Sequence, residues 1–68
     1  MGSKLLKAYI MLALAQEVAQ RLQARGLQVR IERQREAVMG PPYVEDSFGV
    51  WVDYRNYREL AQAKSLVG

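Results

Sequence analysis

A chain of 68 residues with no cysteine and no histidine must stabilise its fold without disulfide bonds and without the usual zinc ligands. A domain of this size buries only about 60% of the surface that its unfolded chain exposes, so its core is marginal for independent stability. Half of the residues are hydrophobic and a quarter are charged, which is typical of a globular domain. We therefore predict a single small domain over residues 1–68 that forms a homodimer.

The sequence offers few side chains for catalysis. Histidine, the most frequent general base at neutral pH, is absent, and so is the cysteine nucleophile. Glu45 and Asp46 are adjacent carboxylates in a predicted loop, but they lack the further ligands that a cation site needs. We expect a protein that is not an enzyme and that uses no cofactor and no metal.

Residues 4–25 contain no proline or glycine and are rich in strong helix formers. Met11, Val18 and Leu22 recur at helical spacing, and Gly26 stands where a glycine ends many helices. The pattern predicts one helix from residue 4 to residue 25. Its first half is apolar on every side, which requires cover from more than one neighbour. Either this half contacts a second chain, or Leu5–Ile10 is a strand that leads into a shorter helix.

Two later segments alternate with period two, which predicts half-buried strands. Residues 27–31 form the first segment, and Phe48 to Tyr54 form the second, antiparallel to it. Residues 35–47 lose this periodicity and contain Gly40 followed by two prolines, which predicts a long loop. Asn56, with Glu59 three residues later, is typical of a helix start.

The order of these elements predicts an α+β domain, helix–strand–strand–helix, with two antiparallel strands covered on one face by the helices. Such a two-stranded sheet is marginal on its own, which supports the expectation of a homodimer. The alternative is a ferredoxin-like βαββα arrangement that begins with the strand Leu5–Ile10.

Three segments resemble a known family, the prokaryotic signal-transducing protein family of small ferredoxin-like domains. Leu22–Ile31 is similar to that family's helix end, glycine turn and strand, and Val50–Val52 is similar to its Val-x-Val strand. Ala61–Leu66 is similar to its final helix. The family has no established activity, so the resemblance implies the βαββα fold and little about function.

The leading functional prediction is a protein-binding or regulatory module that acts as a homo-oligomer in the cytoplasm. Its predicted partner interface consists of Leu5, Leu6, Tyr9, Leu12 and Trp51.

The alternative is an RNA or single-stranded DNA binding domain, because aromatic and arginine side chains together bind single strands. A net charge of +3 and an isoelectric point near 9.6 permit this function. Its predicted residues are Arg30, Arg33, Arg35 and Trp51. No apolar segment approaches the roughly 20 residues that a membrane-spanning helix needs.

Overall fold

A computed structural model describes residues 2–37 and 44–67 of the protein. The five elements are β1 (Gly2–Tyr9), α1 (Leu12–Gln23), β2 (Gln28–Ala37), β3 (Val44–Tyr54) and α2 (Tyr57–Val67). The strands form one sheet in the order β1-β3-β2, and β3 is antiparallel to both neighbours. β1 and β2 are therefore parallel to each other on either side of β3, as in a split β-α-β unit.

The α+β class and the antiparallel pairing of the two predicted strands are confirmed, whereas the two-stranded sheet is wrong. A third strand, β1, replaces the first half of the predicted N-terminal helix. The βαββα order of the alternative arrangement is the order that the structure has. α1 begins only at Leu12, after a bend at Ile10 and Met11.

A bulge explains why β1 does not alternate in the sequence. Lys4 lies opposite Val52 on β3 and Lys7 lies opposite Val50, so three steps along β1 match two steps along β3. The register shift between Leu5 and Lys7 accommodates the extra residue. Both lysines therefore lie on the same side of the sheet. Their spacing of three positions is also the spacing of residues that share one face of a helix.

The two helices cover one face of the sheet. The buried cluster contains Ala15 and Leu22 from α1, Ala63 from α2, and Val50 and Val52 from β3. Leu22, Val50 and Val52 are fully buried, and Leu27 joins them from the segment before β2. Because successive strand residues point to opposite faces, the side chain of Trp51 belongs to the face that carries no helix.

β2 and β3 extend beyond the end of β1. The last β1 pair joins Tyr9 to Phe48, whereas β2 and β3 continue to pair as far as Ala37 opposite Val44. We call this extension, residues 34–37 and 44–47, the hairpin arm. Residues 35–37 and 44–47 of the predicted loop are therefore strand. Residues 38–43, which include the predicted breaker cluster Met39–Tyr43, lie outside the described residues.

The predicted start of the last helix is confirmed. The backbone N–H of Glu59 donates a hydrogen bond to Asn56 Oδ1 at 3.0 Å, which is an N-cap interaction. The Glu59 carboxylate accepts a bond from the backbone N–H of Arg55 at 2.8 Å, one residue earlier than in a standard capping box.

The predicted end of α1 is also confirmed, because Gly26 has a φ of +82°. A Cβ atom added at this position would meet no atom within 4 Å, so only the backbone conformation disfavours a side chain.

We expect Gly26→Ala to lower the free energy of unfolding by about 1–2 kcal/mol, the cost of a left-handed alanine. Gly26→Asn should cost less, since asparagine tolerates this region. Urea unfolding of both variants tests this, and equal losses would contradict it.

Candidate partner-binding surfaces

The face of the sheet without helices, the open face, centres on Trp51. Trp51 is half-buried and pairs with Leu5 on β1 and with Arg30 on β2. The side chains of Leu5 and Trp51 lie over Gly49, where an added Cβ would come within 2.9 Å of Leu5 Cδ1 and 3.2 Å of Trp51 Nε1. The indole N–H has no hydrogen-bond acceptor among the described residues. A glycine is thus required for these two side chains to lie flat on the sheet.

Carboxylates neutralise the arginine on the open face. The Arg30 guanidinium lies 5.1 Å from the ring centroid of Trp51, in a cation–π arrangement. Arg30 also pairs with Glu32, and its Nε lies 3.5 Å from Asp53 Oδ2. The other oxygen of Asp53 accepts a hydrogen bond from the Ser3 hydroxyl. The open face is therefore mixed in charge.

A second arginine–carboxylate cluster lies at the base of the hairpin arm, on the side of the sheet that bears the helices. Arg33 Nη2 donates to Asp46 Oδ2 at 2.6 Å, and Arg35 Nε lies 3.1 Å from Asp46 Oδ1. The hydrogen bond from Arg33, with the positive charges of both arginines, holds the pKa of the Asp46 carboxyl below its usual value. Asp46 lies in β3 and not in a loop, which corrects the prediction for this carboxylate.

A third pair lies at the start of α2. Arg55 Nη2 is 2.7 Å from Glu59 Oε2. The hydrogen bonds from the side chain and backbone of Arg55 lower the pKa of Glu59, and the carboxylate raises the pKa of Arg55 in return. This pair stabilises the helix entry and leaves its own charges balanced.

The four residues predicted to bind nucleic acid do not form one surface. Arg30 and Trp51 lie on the open face, whereas Val29 and Val52 lie on the face under the helices, as the alternation predicts. The β2–β3 register places Arg33 and Arg35 on the other face.

The five residues of the predicted partner interface are also divided. Leu5 and Trp51 share the open face, whereas Leu6 and Tyr9 are partly buried and pack against the core under the helices. Leu12 lies at the start of α1 and is 42% exposed. The structure brings only Leu5 and Trp51 together.

Exposed large apolar side chains are concentrated in the sequence around Leu12. Ile10, Met11 and Leu14 are 69%, 55% and 43% exposed, and with Leu12 they form what we call the apolar patch. They lie within five consecutive positions, at the bend before α1 and in its first turn. The excess of apolar residues was visible in the sequence. The predicted helix placed them all in one continuous helix, whereas Ile10 and Met11 lie in the bend and only Leu12 and Leu14 lie in α1.

A cleft of about 350 Å³ lies between β1 and the C-terminal half of α2. We call it the lysine cleft, because three of its lining residues are lysines. Its lining consists of Lys4, Leu5, Leu6, Lys7, Lys64 and Val67. Sequence reasoning did not identify it, because Lys64 is 57 positions or more from the β1 lysines, and only the pairing of β1 with β3 brings them together.

Within residues 2–37 and 44–67, no three acidic side chains come together in a way that could hold a metal ion. None of the helices in this part of the chain is long and apolar enough to cross a membrane.

The fold and its surfaces define a small α+β domain with a three-stranded sheet covered on one face. No family model matches the chain, and no curated protein or solved structure matches it either. The resemblance to the prokaryotic signal-transducing proteins therefore stays a prediction.

Proposed function

We propose that this protein is a non-enzymatic, regulatory protein-binding module that acts as a homodimer. The observation that carries the proposal is the apolar patch, where four large apolar side chains are exposed within five positions. Single exposed hydrophobic residues are ordinary, but four exposed large apolar side chains within five consecutive positions favour a protein interface.

A second copy of the chain is the occupant that the charges favour. The protein has a net charge of +3, so copies repel one another unless they meet through an uncharged surface. Residues 8–16 contain no charged side chain, and the apolar patch lies entirely within them. Two copies can therefore pack patch against patch without opposing like charges.

The size of the domain supports the same conclusion. The fully buried large side chains are only Leu22, Val50 and Val52 among the described residues. A core this small leaves little margin against the conformational entropy lost on folding. Burial of the apolar patch in a dimer adds hydrophobic surface without requiring a larger chain.

Binding of RNA or single-stranded DNA has less support. Arg30, Arg33 and Arg35 each contact a carboxylate of the same chain, and these contacts compete with phosphate. The aromatic platform is a single tryptophan already covered in part by Arg30.

Light scattering coupled to size-exclusion chromatography tests the proposal. At micromolar concentration we expect a mass about twice the 7.8 kDa of one chain. Leu14→Glu should weaken the dimer by about tenfold or more in Kd, because it places a charge inside the apolar contact. The fold should survive, since α1 has no acidic residue in its first turn and an acidic side chain is favourable there.

Gln20→Glu is the matched control. It introduces the same charge on an exposed position of the same helix, outside the apolar patch. The Kd of the Gln20→Glu dimer should equal the Kd of the dimer of the unmodified protein. A stable wild-type monomer, or equal weakening by both variants, would contradict the proposal.

A further inference from the structure

The outer edge of β1 is unpaired in the part of the chain that the structure describes. β1 is the end strand of the sheet, and β3 occupies only its inner side. The backbone N–H and C=O groups on the outer side can therefore accept another strand. Strand addition to such an edge is a frequent mode of peptide binding, in which the backbone provides affinity and side chains provide selectivity.

The lysine cleft borders this edge. Lys4, Lys7 and Lys64 line the cleft together with the partly buried apolar side chains Leu6 and Val67. The Lys7 ammonium lies 5.4 Å from the ring centroid of Tyr9, which orients it without neutralising it. A cleft that combines apolar side chains with three ammonium groups suits an extended chain that carries negative charges.

The charges of the cleft are not balanced within the described part of the domain. Each acidic side chain described there pairs with an arginine: Glu17, Glu32, Asp46, Asp53 and Glu59. None of the ion pairs in this part of the chain involves Lys4, Lys7 or Lys64. The domain therefore neutralises several of its arginines internally and leaves these three lysines available to a partner.

We propose that β1 and the lysine cleft bind an extended acidic segment of another protein, which adds to the sheet as a fourth strand. This inference deepens the proposed function. It rests on one part of that function only, namely that the domain binds protein.

The β1 bulge specifies the sequence of the partner segment. Lys4 and Lys7 oppose β3 residues that are two positions apart, so they face the same side of the sheet. A regular strand beside β1 also repeats every two residues. Acidic residues at alternate positions would face the lysines, and the residues between them would lie beside Leu5 on the open face. The segment that fits alternates acidic and apolar residues.

The same features disfavour a second copy of the chain at this edge. Two β1 strands paired side by side would bring lysines of both copies together, and like charges across strands are destabilising. Lysines and bulges are also the features that keep edge strands from pairing with themselves. The edge is therefore suited to an acidic partner, while the uncharged apolar patch remains available for the dimer.

A short fluorescein-labelled peptide of alternating glutamate and valine tests the inference by fluorescence anisotropy with the full chain. At about 0.15 M salt, where the Debye length is about 8 Å and remote charges are screened, we expect saturable binding. Replacing Lys4, Lys7 and Lys64 by glutamine should weaken binding by about tenfold or more. The matched control, Arg21→Gln with Arg25→Gln and Arg58→Gln, also removes three exposed positive charges and should change Kd by less than about twofold.

Two further probes separate strand addition from charge attraction. The same peptide with proline in place of its central valine should bind about tenfold more weakly or worse, because proline cannot donate to the ladder. A single-stranded oligonucleotide of equal charge should bind more weakly than the peptide. Equal binding of the proline peptide, tighter binding of the oligonucleotide, equal weakening by the control variant, or no binding of the acidic peptide would overturn the inference. A monomeric protein that still binds the peptide would contradict only the proposed dimer.

Discussion

Leu22→Ala is expected to lower the free energy of unfolding by about 2–5 kcal/mol, because it empties a fully enclosed site. Leu22 has no exposed surface and lies between α1 and the sheet, in the cluster with Val50 and Val52. A domain of this length has a total stability of roughly 3–10 kcal/mol, at about 0.05–0.15 kcal/mol per residue. The variant should therefore be partly unfolded at room temperature or lose most of its resistance to urea.

Urea unfolding followed by circular dichroism measures this loss. The control is Gln16→Ala, which makes a substitution to alanine at an exposed position of the same helix. Because alanine is a good helix former, the control should stay within about 0.5 kcal/mol of the unmodified protein. A loss below about 1 kcal/mol for Leu22→Ala would mean that α1 does not pack on the sheet as described.

The sequence predicted the elements whose patterns are local. Gly26 ends α1 because its position requires a positive φ, and Asn56 begins α2 because its side chain accepts a bond from the backbone N–H of Glu59. The alternation of Val29 and Ile31 with charged residues similarly indicated which face of β2 is buried. In each case the determining interaction spans only a few residues.

The first strand could not be predicted in this way. The bulge in β1 removes the alternation that identifies a strand, and the bend at Ile10 and Met11 contains neither glycine nor proline. The pairing of β1 with β3 joins residues 39 to 52 positions apart, and it overrides the helix propensity of the segment. Helix propensity was thus a weak guide wherever a distant strand could pair.

Which residues share a candidate binding surface also depended on the pairing of β1 with β3. Leu5 and Trp51 were both predicted to contact a partner, but only the strand register places them side by side. The lysine cleft was not predicted, because Lys4 and Lys64 lie at opposite ends of the chain. Conversely, Arg33 and Arg35 were grouped with Arg30 by sequence proximity, whereas the alternation of β2 separates them by face. Proximity along a strand is therefore a poor indication of a shared surface.

Gly49 provides a direct test of the register between β1 and β3. A Cβ at this position would lie 2.9 Å from Leu5 Cδ1, closer than real contacts allow. We expect Gly49→Ala to destabilise the domain by about 1 kcal/mol, the low end for overpacked positions, because the partly exposed Leu5 side chain can shift. The wavelength of Trp51 emission should shift as well, because Trp51 Nε1 lies 3.2 Å from the added atom.

The same substitution should no longer destabilise the domain once Leu5 is shortened. Leu5→Ala removes Cδ1 and with it the nearest contact to the new Cβ. In that background, Gly49→Ala should be neutral or stabilising by up to about 1 kcal/mol, since glycine in a strand interior is unfavourable relative to alanine. A double-mutant cycle measured by urea unfolding gives the coupling between the two sites, expected at about 1–2 kcal/mol. An equal loss in both backgrounds would show that Leu5 does not lie over Gly49. Leu5 contacts residue 49 only when Leu5 pairs with Trp51 on β3. A loss of stability on Gly49→Ala that requires the Leu5 side chain therefore distinguishes a β1 strand from the helix that the sequence favours.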